Sequence, residues 1–250
     1  MIHIKTPEEI KIMAEGGKIL ADVLFAVLDK VAPGVSEIEL DRLADELIIK
    51  KGGFPGFKKV RGYKYATCIS TNDVVVHGIP TNYVLKVGDI IGIDCGVFYK
   101  GFHTDMSETV RVQNSGDGVD LFLATGKRAL GEAIKQAVLG NRIGHISKII
   151  QDIVEKEGGY SISRTLIGHG VGRNLHEAPE VPGFLAGSIE KTPLLIEGMT
   201  LAIEIIYNQG GHEVVYASKD GWTIKTKDGS LSGVFERTIA ITGGGPLILT

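Results

Sequence analysis

Asp94 lies in the run Ile90-Ile91-Gly92-Ile93-Asp94-Cys95-Gly96-Val97-Phe98. Glu204 lies in Leu201-Ala202-Ile203-Glu204-Ile205-Ile206-Tyr207, and Glu236 in Val234-Phe235-Glu236-Arg237-Thr238-Ile239-Ala240-Ile241. Apart from the carboxylates, these runs have the β-branched and aromatic composition of buried strands. Asp105 follows Asp94 across an expected turn. A lone buried carboxylate costs several kcal/mol unless it is paired, protonated or bound to metal. Four in one chain point to a shared cation. A tight hairpin at Phe98-Tyr99-Lys100-Gly101 sets Asp94 and Asp105 opposite each other, or one residue out with a bulge at Gly101. Like charges about 4.5–5.5 Å apart repel, and a divalent ion between them removes that penalty. The alternative is an exposed hairpin with solvated aspartates, which Ile90, Ile91 and Ile93 disfavour.

The run Gly168-His169-Gly170-Val171-Gly172-Arg173-Asn174-Leu175-His176 is the second source of chemistry. Its alternating glycines leave the backbone around His169 bare, so a ligand or another strand can approach closely. Imidazole is a common transition-metal ligand. A single such histidine is more often structural; a second, His176, beside Glu177 in the same run raises the functional reading. For Glu204 and Glu236 the alternatives are pairing with Arg237 or Lys225, or a strand face open to water. His77, where Asn72 to Pro80 runs from strand to turn, is a weaker signal. His3, His103, His145 and His212 read as structural or surface residues. Asp94, Asp105, Glu204 and Glu236 carry four negative charges, which two divalent ions balance if His169 binds as the neutral base. Carboxylate-rich ligation with one imidazole suits manganese, iron(II), cobalt(II) or zinc. Two such ions about 3.5–4 Å apart would share a water, lower its pKa and polarise a carbonyl.

These groups need elements to hold them. Thr6, Pro7 and Glu9 spell a helix start with a capping box, and Ile10, Met13, Ile19, Leu20, Leu24 and Leu28 keep a helical period up to Pro33-Gly34. Ser36 and Glu39 cap a second helix whose stripe is Leu40, Leu43 and Leu47, closed by Gly52-Gly53. The pattern recurs at one constant offset. A helix from about Val119 to Leu139 precedes a shorter one with Ile146, Ile149 and Ile153, closed by Gly158-Gly159-Tyr160. Strands are expected at Tyr65 to Ile69, Asp73 to Val76, Ile90 to Phe98 and Ser107 to Val112, then at Ile162 to Ile167, Met199 to Tyr207, Glu213 to Ala217, Thr223 to Thr226 and Val234 to Ile241. Turns such as Asp228-Gly229 favour antiparallel pairing. Helices followed by sheet, twice over, predict an α+β architecture of two similar halves, about 1–112 and 113–250, in a single domain.

The chain has 250 residues, 43% hydrophobic and 23% charged, enough for a substantial core. Its net charge of −3 and lack of a basic stripe exclude a nucleic-acid or membrane-surface protein as the default. Cys68 and Cys95 do not imply a disulfide framework. The acidic start is no secretory signal, and no apolar run approaches the roughly 18 residues of a membrane helix. A cytoplasmic location is expected.

In order and setting, Asp94, Asp105, His169, Glu204 and Glu236 resemble the metal-ligand set of the type I methionine aminopeptidases. The likeness extends over Asn72 to Pro80, Gly88 to Ser107, Gly168 to Pro179, Gly198 to Glu204 and Trp222 to Thr242. It implies the pita-bread fold, two pseudo-symmetric α/β halves with a curved antiparallel sheet around a dinuclear metal centre. It implies that Asp94 chelates one ion, that Asp105 and Glu236 bridge both, and that His169 and Glu204 complete the other. It makes Glu204 the acid/base, His77 the contact to the scissile amide or leaving nitrogen, and His176 the stabiliser of the developing oxyanion. The methionine pocket would comprise Tyr63, Cys68, Leu175 and Trp222. The expected substrates are N-termini of nascent chains with a small second residue. A transient ribosome contact and a monomeric state are also expected.

Four positions depart from the family pattern: Ile205 in place of proline, Arg237 in place of histidine, Val234 in place of a polar residue, and Leu175 in place of an aromatic. They put pocket shape and rate in question without removing a ligand. The short stretch from His176 to Glu204 has no room for the helical insertion of the type II enzymes, and no zinc-finger extension precedes Thr6. Two rivals remain. A proline-directed aminopeptidase or dipeptidase of this fold would usually carry a further N-terminal domain. A non-catalytic pita-bread binding protein would lose ligands.

Overall fold

Thr6 begins the first helix as its sequence requires: the Thr6 hydroxyl accepts from the Glu9 N–H (3.3 Å), and the Glu9 carboxylate accepts from the Thr6 N–H (3.0 Å). The helix that follows, α1, spans Pro7–Leu28. It stops short of the expected Pro33-Gly34: Asp29 still donates to Phe25, but Lys30 and Val31 donate three residues back, to Val27 and Leu28, as the last turn tightens. Gly34 donates to the Leu85 carbonyl and Leu85 to that of Val35. Helix α2 (Glu37–Lys50) opens with the Ser36 N–H and hydroxyl both donating to Glu39. The first half then adds β1 (Phe54–Pro55), β2 (Thr67–Thr71), β3 (Val74–Val76), β4 (Ile90–Tyr99) and β5 (Phe102–Arg111). This computed structural model describes residues 2–113, 118–217 and 220–250.

The second half repeats the order, with α3 (Val119–Gln136) and α4 (Ile143–Gln151), the latter continued by a wider turn over Asp152–Glu157. At the start of α4 the Arg142 N–H donates to His145 Nδ1 (3.0 Å), which takes the place of the Ser36–Glu39 box. Among the described residues eight strands follow: β6 (Ser161–Ile162), β7 (Gly168–Gly170), β8 (Glu177–Val181), β9 (Thr200–Asn208), β10 (Val214–Tyr216), β11 (Ile224–Thr226), β12 (Ser232–Thr242) and β13 (Gly245–Ile248).

The larger sheet runs β1-β4-β5-β12-β9-β7-β8, with β2 also on β4, β6 on β9 and β13 on β12. Every pairing in it is antiparallel. The halves mirror each other in connectivity. β4 carries β5 on one side and β1 and β2 on the other; β9 carries β12 on one side and β6 and β7 on the other. β5 and β12 join them at the centre. This is the expected α+β, pita-bread arrangement.

Three expectations need correction. The strand placed at Ser107 to Val112 starts at Phe102. The strand expected over Ile162 to Ile167 ends at Ile162, where the Ser163 hydroxyl accepts from the Leu166 N–H and turns the chain. Asp228-Gly229 does turn, with Gly229 at φ 75°, but the strands flanking it belong to different sheets. β11 pairs with β10 and β3, and β12 lies in the large sheet.

The helices cover one face of the large sheet. Leu20, Leu24, Ile69, Ile91, Ile93 and Cys95 form one buried cluster under α1 and α2. Phe122, Ile146, Ile203, Ile205, Tyr207 and Phe235 form another under α3 and α4. Burying a side chain of this size contributes about 1.5–3 kcal/mol. The clusters hold the central strands rigid, and the opposite face is left free for chemistry. Among the described residues no helix is long and apolar enough to cross a membrane.

Candidate metal centre

Strand register places the carboxylates together. Asp94 pairs with Ser107, Ser107 with Glu236, and Glu236 with Glu204, so one line crosses β4, β5, β12 and β9. Directly paired residues project to the same face of a sheet, as do residues two apart on a strand. Asp105, two residues before Ser107, therefore shares this face and pairs with Gly96. This corrects the expected face-to-face pairing of Asp94 and Asp105. Lys100 (φ 46°) and Gly101 (φ 95°) form a two-residue turn with both residues left-handed. Tyr99 consequently pairs with Phe102, and the two aspartates become diagonal neighbours with an unbroken ladder and no bulge.

His169 reaches the same face from β7. It pairs with Ala202, two residues before Glu204 on β9. Glycine is needed on both sides of it, since a Cβ on Gly168 would lie 2.6 Å from the Ala202 carbonyl oxygen and one on Gly170 2.4 Å from that of Ala178. His169 Nδ1 is 2.8 Å from the Gly170 carbonyl oxygen. A proton held there leaves the Nε2 lone pair free, and Nε2 lies 3.9 Å from Glu204 Oε1. One ligand atom each from Asp105, His169 and Glu236 lies within 4.8 Å of the others.

The electrostatics fit a cation. Burial pushes Asp94 up to about 7, and burial with the Asp94 charge pushes Glu204 up to about 8. Burial, then neighbouring carboxylates, raise Asp105 and Glu236 well above the usual range. Burial and the nearby His176 push His169 down to about 4, so it is neutral at pH 7. Asp94 Oδ1 is buried without a hydrogen-bond partner. Neither proposed basic partner neutralises the cluster. Arg237 lies on the helix-covered face and pairs with Glu108 (2.8 Å), and Lys225 pairs with Asp73 (3.1 Å). Four carboxylates and a neutral imidazole converge on one face, a hard donor set that fits divalent metal.

The five groups open into a cavity of about 600 Å³ that is also lined by His77, His176, Tyr63, Cys68, Leu175 and Trp222. The proposed ligands, His77, His176 and the four proposed pocket residues therefore meet at one site. Cys68 extends the register line, since it pairs with Asp94. The Tyr63 and Trp222 rings meet edge to face at 5.1 Å, and the Tyr63 hydroxyl donates to the Thr67 carbonyl (2.7 Å). Asp41 of α2 accepts from the Ala66 and Thr67 N–H groups and fixes this wall from behind. His77 follows β3 at φ 55°, and the His176 ring stands 4.4 Å from that of His169. Burial lowers the pKa of both His77 and His176.

The sequence reading missed Phe57, Leu166 and Ile206, which also line the cavity. Phe57, in a glycine-rich turn, and Ile206, two residues past Glu204 on one strand, carried usable signals; Leu166 carried none. Of the departing positions, Ile205 and Arg237 point away from the site. Val234 is buried among Val76, Ile206 and Ile224 on the site's side, and Leu175 lines the cavity itself.

Residues 11–243 match metallopeptidase family M24. The methionine aminopeptidase of Clostridium perfringens is 44% identical over 250 residues, covering 100% of this chain and 99% of that protein. The crystal structure of methionine aminopeptidase from Thermotoga maritima superposes with a TM-score of 0.96 at 41% identity, covering 100% of this chain and 99% of that one. Prolidase from Pyrococcus furiosus shares the fold at a TM-score of 0.76 and 23% identity, over 99% of this chain and 65% of that one. Likeness along its whole length, in sequence and in backbone alike, makes this chain a member of metallopeptidase family M24, among its methionine aminopeptidases.

Proposed function

We propose that the chain hydrolyses the first peptide bond of peptides and nascent proteins that begin with methionine and have a small second residue. The observation that carries this reading is the register line. It brings Asp94, Asp105, Glu204, Glu236 and His169 to one sheet face, in a cavity whose wall is apolar and aromatic. Residues 1–250 would act as one catalytic unit, its halves meeting at β5 and β12.

In this reading Asp94 would hold one divalent ion, Asp105 and Glu236 would be shared by two, and His169 with Glu204 would complete the second. Bound divalent ions supply Lewis-acid activation of a water and of the scissile carbonyl. Manganese, iron(II), cobalt and zinc all suit these donors, and availability decides among them. The residues do the rest. Glu204 takes a proton at its carboxylate from the attacking water and returns it to the leaving amine. His77 contacts the scissile amide or leaving nitrogen. His176, lodged beside His169, donates to the substrate carbonyl oxygen as negative charge develops there. Tyr63, Cys68, Leu175 and Trp222 enclose the thioether, whose polarisable sulfur favours aromatic surroundings. The chain would work as a monomer in the cytoplasm, with transient contact to the ribosome as substrates emerge.

The test is hydrolysis of Met-Gly-Met against X-Pro peptides after loading with manganese or iron(II) without oxygen. Release of methionine, abolished by chelation, is expected. Preference for X-Pro, or failure to take up divalent metal, overturns the proposal.

A further inference from the structure

The third glycine of the His169 run, Gly172, makes room for a side chain from the N-terminal segment. A Cβ there would lie 2.4 Å from Lys5 Cε, 2.7 Å from Lys5 Nζ and 3.0 Å from Glu177 Oε1. Lys5 passes through this gap to Glu177, with Nζ 2.5 Å from Oε2 and only 4% and 3% of the two side chains exposed. The other carboxylate oxygen, Oε1, accepts from the Asn174 N–H at 3.0 Å. One carboxylate thus ties residue 177 back to residue 174, with His176 inside the closed turn. The backbone on either side is anchored too. Lys5 N–H donates to the Gly198 carbonyl, just before β9, and His103 N–H donates to the Gly172 carbonyl.

A buried ion pair is a weak source of stability, because desolvation offsets most of the Coulomb gain. Its strength is direction: an ammonium and an amide N–H fix both oxygens of Glu177, and with them the turn that carries His176. An oxyanion donor works only within a few tenths of an ångström of its place, and a 1 Å displacement costs about 100-fold in rate.

We propose that Lys5 is a positioning residue for His176, acting through Glu177, so that the segment before α1 is part of the support of the site. This rests on the oxyanion role given to His176 above. Four variants of the full chain, K5M, K5M/E177M, H176A and K5M/H176A, test it on manganese-loaded protein. Thermal melting and manganese uptake are measured alongside, and the His176 imidazole resonance is followed in the metal-free protein. K5M is expected to lower kcat about 10- to 100-fold with KM within a factor of two, unchanged manganese uptake and a shifted His176 resonance. K5M/E177M, which leaves no unpaired buried charge, should melt close to the wild type and still turn over slowly. In the H176A background, K5M should cost nothing further. H176A slow with K5M at wild-type rate overturns this inference alone, as does full recovery in K5M/E177M or multiplying losses in K5M/H176A. An unaffected H176A overturns the oxyanion reading and this inference with it.

Discussion

In the metal-free protein burial brings Asp94 to about 7, and burial with the Asp94 charge brings Glu204 to about 8, while burial and then neighbouring carboxylates hold Asp105 and Glu236 well above the usual range. Of the two groups near neutrality, Glu204 is the one beside His169, 3.9 Å from Nε2, and it is the proposed proton carrier. General acid–base catalysis contributes about 10²–10⁴-fold. Glu204→Gln is therefore expected to lower turnover by at least ~100-fold. Its melting temperature in metal-free protein should be equal or higher, because one member of a repelling cluster is gone. Wild-type turnover would refute the assignment. For His176→Ala the expected loss is about 10²–10³-fold, the scale of a missing oxyanion donor, with metal content retained. Loss of the metal instead would make His176 a ligand and displace the present role.

At the level of elements, the site depends on how closely β7 is held between β8 and β9. The Ala178 and Glu177 carbonyls of β8 approach Gly170 so closely that Gly170→Ala must move backbone rather than a flexible side chain. Overpacking of this kind costs about 1–3 kcal/mol. Because His169 is the adjacent residue, manganese affinity should fall at least ~10-fold, which isothermal titration would read. Gly131 in α3 is the control. Nothing lies within 4 Å of a Cβ there, so Gly131→Ala should be neutral or stabilise by up to about 1 kcal/mol in denaturant melts, with metal binding unchanged. The same sidedness explains Arg237. Its guanidinium bonds to Glu108 on the helix-covered face, so its charge lowers the Glu236 pKa less than burial and the neighbouring carboxylates raise it.

For the whole molecule, the carboxylate cluster links stability to pH. Asp94 and Glu204 have folded-state pKa values raised to about 7 and about 8, and Asp105 and Glu236 are also raised well above the usual carboxylate range. Unfolded carboxyls ionise near 4, so above that pH the folded metal-free protein binds more protons than the unfolded one. Stability is then greatest at low pH in this respect and is lost as pH rises through the folded values. His77, His103, His169 and His176 are shifted down, and their opposing effect operates only below about 6.5. Between pH 6.5 and about 8 the carboxylates dominate, and toward about 8.5 the Cys68 and Cys95 thiols, raised by burial, add an effect of the same sign. Chelated protein should lose about 1.4 kcal/mol per pH unit for each proton retained by the native state. Urea melts across that window would check this, and saturating manganese should flatten the dependence. A rising stability of the chelated protein would show that the cluster is not protonated as described.

Residue type and spacing were enough to pick out the chemistry. Buried carboxylates advertise themselves by breaking apolar strands, glycines around a histidine advertise close backbone approach, and capping boxes are local bonds that form wherever their residues occur. The helix starts at Thr6 and Ser36 were legible for that reason. Register was not. Whether Asp94 faces Asp105 or Ser107 depends on one two-residue turn, and a shift of that kind changes no hydrophobic pattern. The pairing of β5 with β12, which joins the halves, and the separation of β11 from β12 across Asp228-Gly229 are long-range contacts with no local signature. The link from Lys5 to Glu177 joins residues that are distant in sequence, and only the folded chain brings them together. The sequence by itself determined which groups could hold metal and move protons. Tertiary structure decided which face each occupies and what stands behind it, because sidedness and distance in a sheet are set by pairing partners far along the chain.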